Sequence, residues 1–250
     1  MLFSSVLTGS LLRVLILFRG YRSGILGTYS WFYTYIASSL LADVLINLAR
    51  VDYVGVYKPV YWACQFATLA IGCGLILEIF RHVLEPYPGA ERFARAVCLV
   101  TFGVIFLVGF LFPRSSPLDL QAASIELERD VRSAQIVFFV AILAVISHYA
   151  IPLGRNMRGM MLGYGIYLLV SLATLSFRAY IGMDFDRIWR VIQPLSFNLS
   201  LLIWLIALWS LKENPKPKRE VRIETDYEAL AALTRDRLRA LRAHLGRSTR

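Results

Sequence analysis

The sequence predicts an all-α, polytopic membrane protein with seven transmembrane helices, its N-terminus outside and its C-terminus cytoplasmic. Three observations predict it. Residues 191–211 hold no charged side chain, and at about 1.5 Å of rise per residue such a run crosses a hydrocarbon core of roughly 30 Å. Hydrophobic residues make up 57% of the chain, against roughly 45–50% in a soluble domain. Directly behind the last apolar run the chain becomes KENPKPKRE, which a bilayer excludes and which fixes the cytoplasmic side.

The spans follow from the apolar runs. The first covers residues 2–18, interrupted by Arg13 and closed by Arg19 and Arg22. No basic stretch precedes it, so a cleaved signal peptide is not expected. The second, 25–48, carries Asp43 and Asn47. The third, 60–80, opens on Tyr61 and Trp62 and places Gln65 one turn in. A charged link with Pro86 and Pro88 covers residues 81–95. The fourth span, 96–112, is the most uniformly apolar, and Pro113 and Pro117 end it.

Residues 118–132 mix apolar and charged side chains at helical spacing and are expected to lie at the interface, leading into the fifth span at 131–150. The sixth, 159–181, is rich in small residues, and Gly159 and Gly163 would let helices approach closely. The seventh is the 191–211 run itself, with Trp189 and Trp209 at its ends and Pro194 in its first turn.

Orientation rests on the tail. Arg19, Arg22, Arg81, Arg92, Arg95, Arg155 and Arg158 follow spans one, three and five, and the other links hold about as many cations. The segment after Lys212 is dense in Lys and Arg and breaks the tie. The net charge of +10 is therefore read as membrane topology, and no nucleic-acid partner is expected.

Residues 1–211 thus form the bundle and 212–223 a Pro/Lys-rich linker. Residues 224–246 form a basic amphipathic helix, with Thr225 and Glu228 as a capping box and Gly246 as its stop. Leu230, Leu233, Leu238 and Leu241 fall near one stripe, with Arg235, Arg239 and Arg242 beside it. Such a helix suits anionic lipid or a protein partner.

Polar side chains at membrane depth are costly and mark sites. Asp43, Tyr61, Gln65, Arg178, Gln193 and Asn198 come from four spans and fall at one level in the outer half. They are the candidate binding residues of an outward-facing pocket for a small-molecule ligand. Asp43 and Arg178 are expected to pair with each other or to face that ligand. Arg13 and Glu78 sit near the opposite ends of their spans and are expected to reach water.

Several chemistries lack their residues. Lys58, Lys212, Lys216 and Lys218 are the lysines, and none can form a Schiff base within a span. Facing histidines for haem, a His/carboxylate cluster for zinc, a G-x-S-x-G serine, a P-loop and a dinucleotide fingerprint are all missing. Cys64, Cys73 and Cys98 lie within apolar runs, so no disulfide framework or thiolate metal site is expected. No enzyme, cofactor or metal is expected. The function classes left are a receptor-like or accessory cell-membrane protein, a small-solute transporter of two three-span halves, and, lower, an enzyme acting on lipid.

Overall fold

The structure is a computed structural model, and it describes residues 2–52, 56–111, 120–181, 186–210 and 223–248. Among them there are only helices: α1 (Leu2–Arg22), α2 (Ser30–Asp52), α3 (Tyr57–Leu84), α4 (Pro88–Leu111), α5 (Leu120–Tyr149), α6 (Arg155–Ile181), α7 (Asp186–Ala207) and α8 (Ile223–Ser248), with one 3₁₀ turn at Ile25–Gly27. Five are long and apolar enough to cross a membrane: Ser30–Val51, Tyr57–Leu84, Pro88–Leu111, Ile125–Tyr149 and Arg155–Phe177. The first and seventh of the expected spans fall short of that measure. In α7 the apolar stretch, Val191–Ala207, is shorter, and α1 carries Arg13 in its middle.

Each of α1 to α7 packs on its neighbour in sequence, and α7 returns to α1, which closes a ring, while α3 also touches α5. The order is up-and-down. Glu78 near the end of α3 meets the start of α2. A Cβ on Gly109 of α4 would meet Leu127 early in α5, and one on Gly165 of α6 would meet Phe139 of α5. This alternation brings Arg19, Arg22, Arg81, Arg92, Arg95, Arg155 and Arg158 to one end of the bundle, called here the basic end.

The core is aromatic. Trp204 is wholly buried, and its ring stands edge-on to Phe32 at 5.1 Å and to Tyr35 at 6.4 Å. Such edge contacts add specificity beyond the area buried. The α6–α7 seam depends on small residues, as expected. A side chain on Gly163 would run into the Trp204 indole, and one on Gly159 into Ala207. The close approach lets Ser200 Oγ donate to Gly163 O at 2.8 Å and Trp204 Nε1 to Met160 O at 3.1 Å.

Several expectations are corrected. The charged link at 81–95 is mostly helix, because α3 runs on to Leu84 and α4 starts at Pro88. At 28 residues, α3 is roughly 42 Å long, so its charged last turn projects beyond a hydrocarbon core. Pro88 at the first helical position loses no hydrogen bond. Residues 120–132 are not a separate interfacial helix but the first turns of α5, a single helix of 30 residues. The second span starts at Ser30, after the 3₁₀ turn, not at Ile25. Pro194 lies inside α7 rather than in its first turn. α8 runs from Ile223 to Ser248, so Thr225 and Gly246 lie within two residues of its ends.

Glu78 does not reach water. It is 4% exposed, and its carboxylate accepts from Trp31 N at 3.0 Å and Phe32 N at 2.8 Å. It therefore caps the N-terminus of α2 from the neighbouring helix, where free N–H groups and the helix dipole favour an anion. Next to it the ring of Tyr29, just before α2, lies 4.9 Å from that of His82. Burial first, then the Glu78 and Glu85 carboxylates, raise the Tyr29 phenol above its ordinary value.

Candidate functional site: a polar cavity inside the bundle

A cavity of about 260 Å³ opens between α1, α2, α3, α6 and α7. Residues four apart on a helix share a face. That spacing delivers Gly9 and Arg13 from α1, and Tyr35, Ser39 and Asp43 from α2. α3 adds Gln65 and Thr68, α6 adds Tyr167, and α7 adds Gln193, Pro194, Phe197 and Asn198. A Cβ on Gly9 would stand 2.7 Å from Asn198 Oδ1, so glycine is what lets α1 approach α7 at this level.

Arg13 dominates the cavity. Its side chain is 9% exposed, and its Nη1 donates to Asp43 Oδ2, closing an ion pair with a carboxylate that is 38% exposed. Nη1 also donates to Ser39 O at 3.3 Å. The guanidinium lies over the Phe197 ring, 5.0 Å from its centroid, a favourable face for a cation. Its Nε–H is buried without a hydrogen-bond partner among the described residues. An unsatisfied buried donor is costly and rare in folded proteins.

A second arginine stands behind the wall. Arg132 of α5 is 7% exposed; its Nη2 donates to Tyr167 Oη at 3.0 Å and its Nε to Glu128 Oε1 at 2.9 Å. Its guanidinium also lies over the Tyr167 ring, 5.0 Å from the centroid. Tyr167 thus touches Arg132 and lines the cavity. Deeper still, Tyr164 Oη donates to Gly72 O at 3.1 Å, and Gln135, 1% exposed, donates to Cys73 Sγ at 3.5 Å.

Of the six residues singled out from the sequence, Asp43, Gln65, Gln193 and Asn198 line this cavity. Tyr61 does not; its ring packs on Tyr57 at 6.2 Å and on Trp62 at 4.9 Å. The Arg178 side chain lies outside the described residues. Asp43 is paired with Arg13, and the expected pairing with Arg178 lies outside the described residues. The expectation that Arg13 reaches water fails because α1 turns that face between α2 and α7. Gln193 acts as a bridge as much as a wall. It donates to Ser171 Oγ at 2.9 Å and accepts from Thr174 Oγ1 at 3.2 Å, both on α6. Gln65 has no hydrogen-bond partner among the described residues.

Sequence reasoning missed Arg13, Tyr35, Ser39, Tyr167 and Arg132. A signal was there: Gly9/Arg13 and Tyr35/Ser39/Asp43 repeat at four-residue spacing. Among the described residues no group of three His, Cys, Asp or Glu side chains could hold a metal. The chain matches no family model, and no curated protein or solved structure is significantly similar to it.

Proposed function

We propose that this chain is a seven-span cell-membrane protein, N-terminus outside and C-terminus cytoplasmic, that binds a small polar molecule in the cavity. In this reading it is a receptor-like or accessory protein with no catalytic role of its own. The observation that carries the ligand is Arg13: a buried guanidinium, paired with Asp43 on one edge and holding an unused Nε–H, beside an unpartnered Gln65 amide. A molecule bearing a hydrogen-bond acceptor would satisfy the Gln65 amide and lie beside the Arg13 guanidinium. At about 30 Å³ per water, the cavity's about 260 Å³ equals on the order of nine waters, which suits a small solute.

Seven spans are supported by what α1 and α7 expose. Leu7, Leu11, Val14 and Phe18 form one exposed apolar stripe, and Leu195, Leu199, Leu202 and Ile206 another. Both have the spacing of a single helix face. The arginine that lowers the apolar character of α1 faces the interior, so it does not burden the lipid side. The basic end and the tail support the orientation. At that end α8 leans on α4 through Tyr227 and Phe93, 6.3 Å apart, and leaves Leu230 and Leu233 exposed. That is the posture of a helix meeting anionic lipid or a protein partner.

A transporter is the second reading. It is favoured by one observation: α1–α3 line one side of the cavity and α6–α7 the other, with α4 outside it. Native mass spectrometry of the gently extracted protein tests the first reading. A bound small molecule is expected, and it should be lost when Thr68→Trp fills the cavity. A protein that carries nothing at the cavity in either form would overturn it. Solute uptake by proteoliposomes would replace it with the second. A C-terminal reporter accessible from outside the cell would reverse the orientation.

A further inference from the structure

A separate depression lies on the outer face of the bundle at the basic end, between α6 and α7. Its volume is about 460 Å³, and Leu153, Gly159, Leu162, Ile203 and Ile206 help to line it. At Gly159, α6 packs directly on Ala207 of α7, and both residues line the depression. The groove faces outward, since Leu162 is 58% and Ile206 72% exposed. At its mouth stand Arg155 and Arg158, one turn apart on α6 and both exposed.

The two arginines are held differently. Arg155 Nη2 donates to Ser210 Oγ at 2.7 Å, and Asn156 Nδ2 donates to Ser210 O at 3.0 Å, which ties the start of α6 to the end of α7. The Arg158 side chain has no hydrogen-bond or ion-pair partner among the described residues. Among the described residues no acidic side chain lines the groove. The N-terminus of α6 lies at the same end, and its helix dipole adds positive field. The depth is that of lipid headgroups. Nearby, Arg19 stacks on the half-exposed Trp209 at 4.9 Å and donates to its carbonyl at 2.8 Å, an interfacial anchor of the aromatic-and-basic kind.

We propose that this groove binds one anionic phospholipid of the leaflet on the basic side. Its phosphate sits on Arg155 and Arg158, and one acyl chain lies along Leu162, Ile203 and Ile206. Charge decides the class. The cationic end of a zwitterionic headgroup finds no carboxylate among the described lining residues, whereas a net anionic headgroup meets two guanidinium groups suited to phosphate. The apolar wall decides the source, because a soluble phosphate gains nothing from it. The proposal rests on the bundle's membrane location and is independent of the interior cavity.

The test is native mass spectrometry of the full-length protein, delipidated in detergent and titrated with phosphatidylglycerol or phosphatidylcholine of equal chain length. One phosphatidylglycerol is expected to bind in preference to phosphatidylcholine. Arg158→Gln should weaken it about fivefold, the effect of one basic side chain near a lipid phosphate. Arg92→Gln, which removes an exposed cation from the same end on α4, should leave it unchanged. Leu162→Trp, a change on the lipid-facing surface, should abolish it while both arginines remain. Equal loss in Arg92→Gln would mean an unspecific response to charge, and full binding in Leu162→Trp would mean no groove site. Displacement by glycerol 3-phosphate at the lipid's own concentration would mean a soluble ligand. Any of the three overturns the proposal.

Discussion

Removing either partner of the Arg13–Asp43 pair should destabilise the protein, but unequally. The guanidinium is 9% exposed and the carboxylate 38%. Asp43→Asn strands a buried cation that retains only Ser39 O, the Phe197 face and a neutral amide. Breaking a buried pair from one side costs about 3–5 kcal/mol when the survivor stays desolvated, and we expect Asp43→Asn at the lower edge, about 3 kcal/mol. Arg13→Met leaves a carboxylate open to the cavity, so solvent there recovers part of its hydration and the cost falls to about 1–2 kcal/mol. The double variant has no stranded charge and should lose less than the sum, with a coupling of about 1–3 kcal/mol. Unfolding in mixed micelles, followed by tryptophan fluorescence, measures all four corners of the cycle. Two results would refute the reasoning: Arg13→Met more damaging than Asp43→Asn, which would mean the carboxylate is the desolvated partner, or additive losses, which would mean the pair is not formed.

Three further predictions concern packing and caps. Gly163→Ala should cost about 1–3 kcal/mol by overpacking against Trp204, whereas Gly103→Ala, which meets open space, should be neutral or stabilising; melting both in the same detergent gives the contrast. Glu78→Gln replaces one of two acceptor oxygens with a donor facing the N–H groups of Trp31 and Phe32, and a loss of about 1–3 kcal/mol is expected, with hydrogen exchange fastest at the first turn of α2. Ala150 holds φ at 48° just past α5, where Ile151 N donates to Ile146 O at 3.0 Å, so Ala150→Gly should raise stability by about 0.5–1 kcal/mol in the same melts.

The helices were legible in the sequence because a membrane helix announces itself by a long apolar run. The close α6–α7 seam was legible in Gly159 and Gly163 for the same local reason. Boundaries were less so. Charge was taken to end a helix at the edge of the bilayer, yet α3, α4 and α5 carry their helices past it, since a backbone hydrogen-bonded to itself has no reason to stop at a change of solvent. The short apolar runs in α1 and α7 hid the opposite case, in which polar residues fall within the bundle.

The cavity shows why depth alone could not assign it. Distance from a span end places Asp43, Gln65, Gln193 and Asn198 at one level, and those four do meet. Distance also places Arg13 and Arg132 within reach of water, and both are buried. What decides their fate is the face of the helix, and in α1 both faces are instructive. Leu7, Leu11, Val14 and Phe18 are exposed, while Gly9, Arg13 and Ile16 turn inward. A charged residue that interrupts an apolar stripe from the opposite face is therefore not a flaw in a span. It is the side chain for which the rest of the bundle must supply a partner, and here the supply stops one hydrogen bond short, at Arg13 Nε.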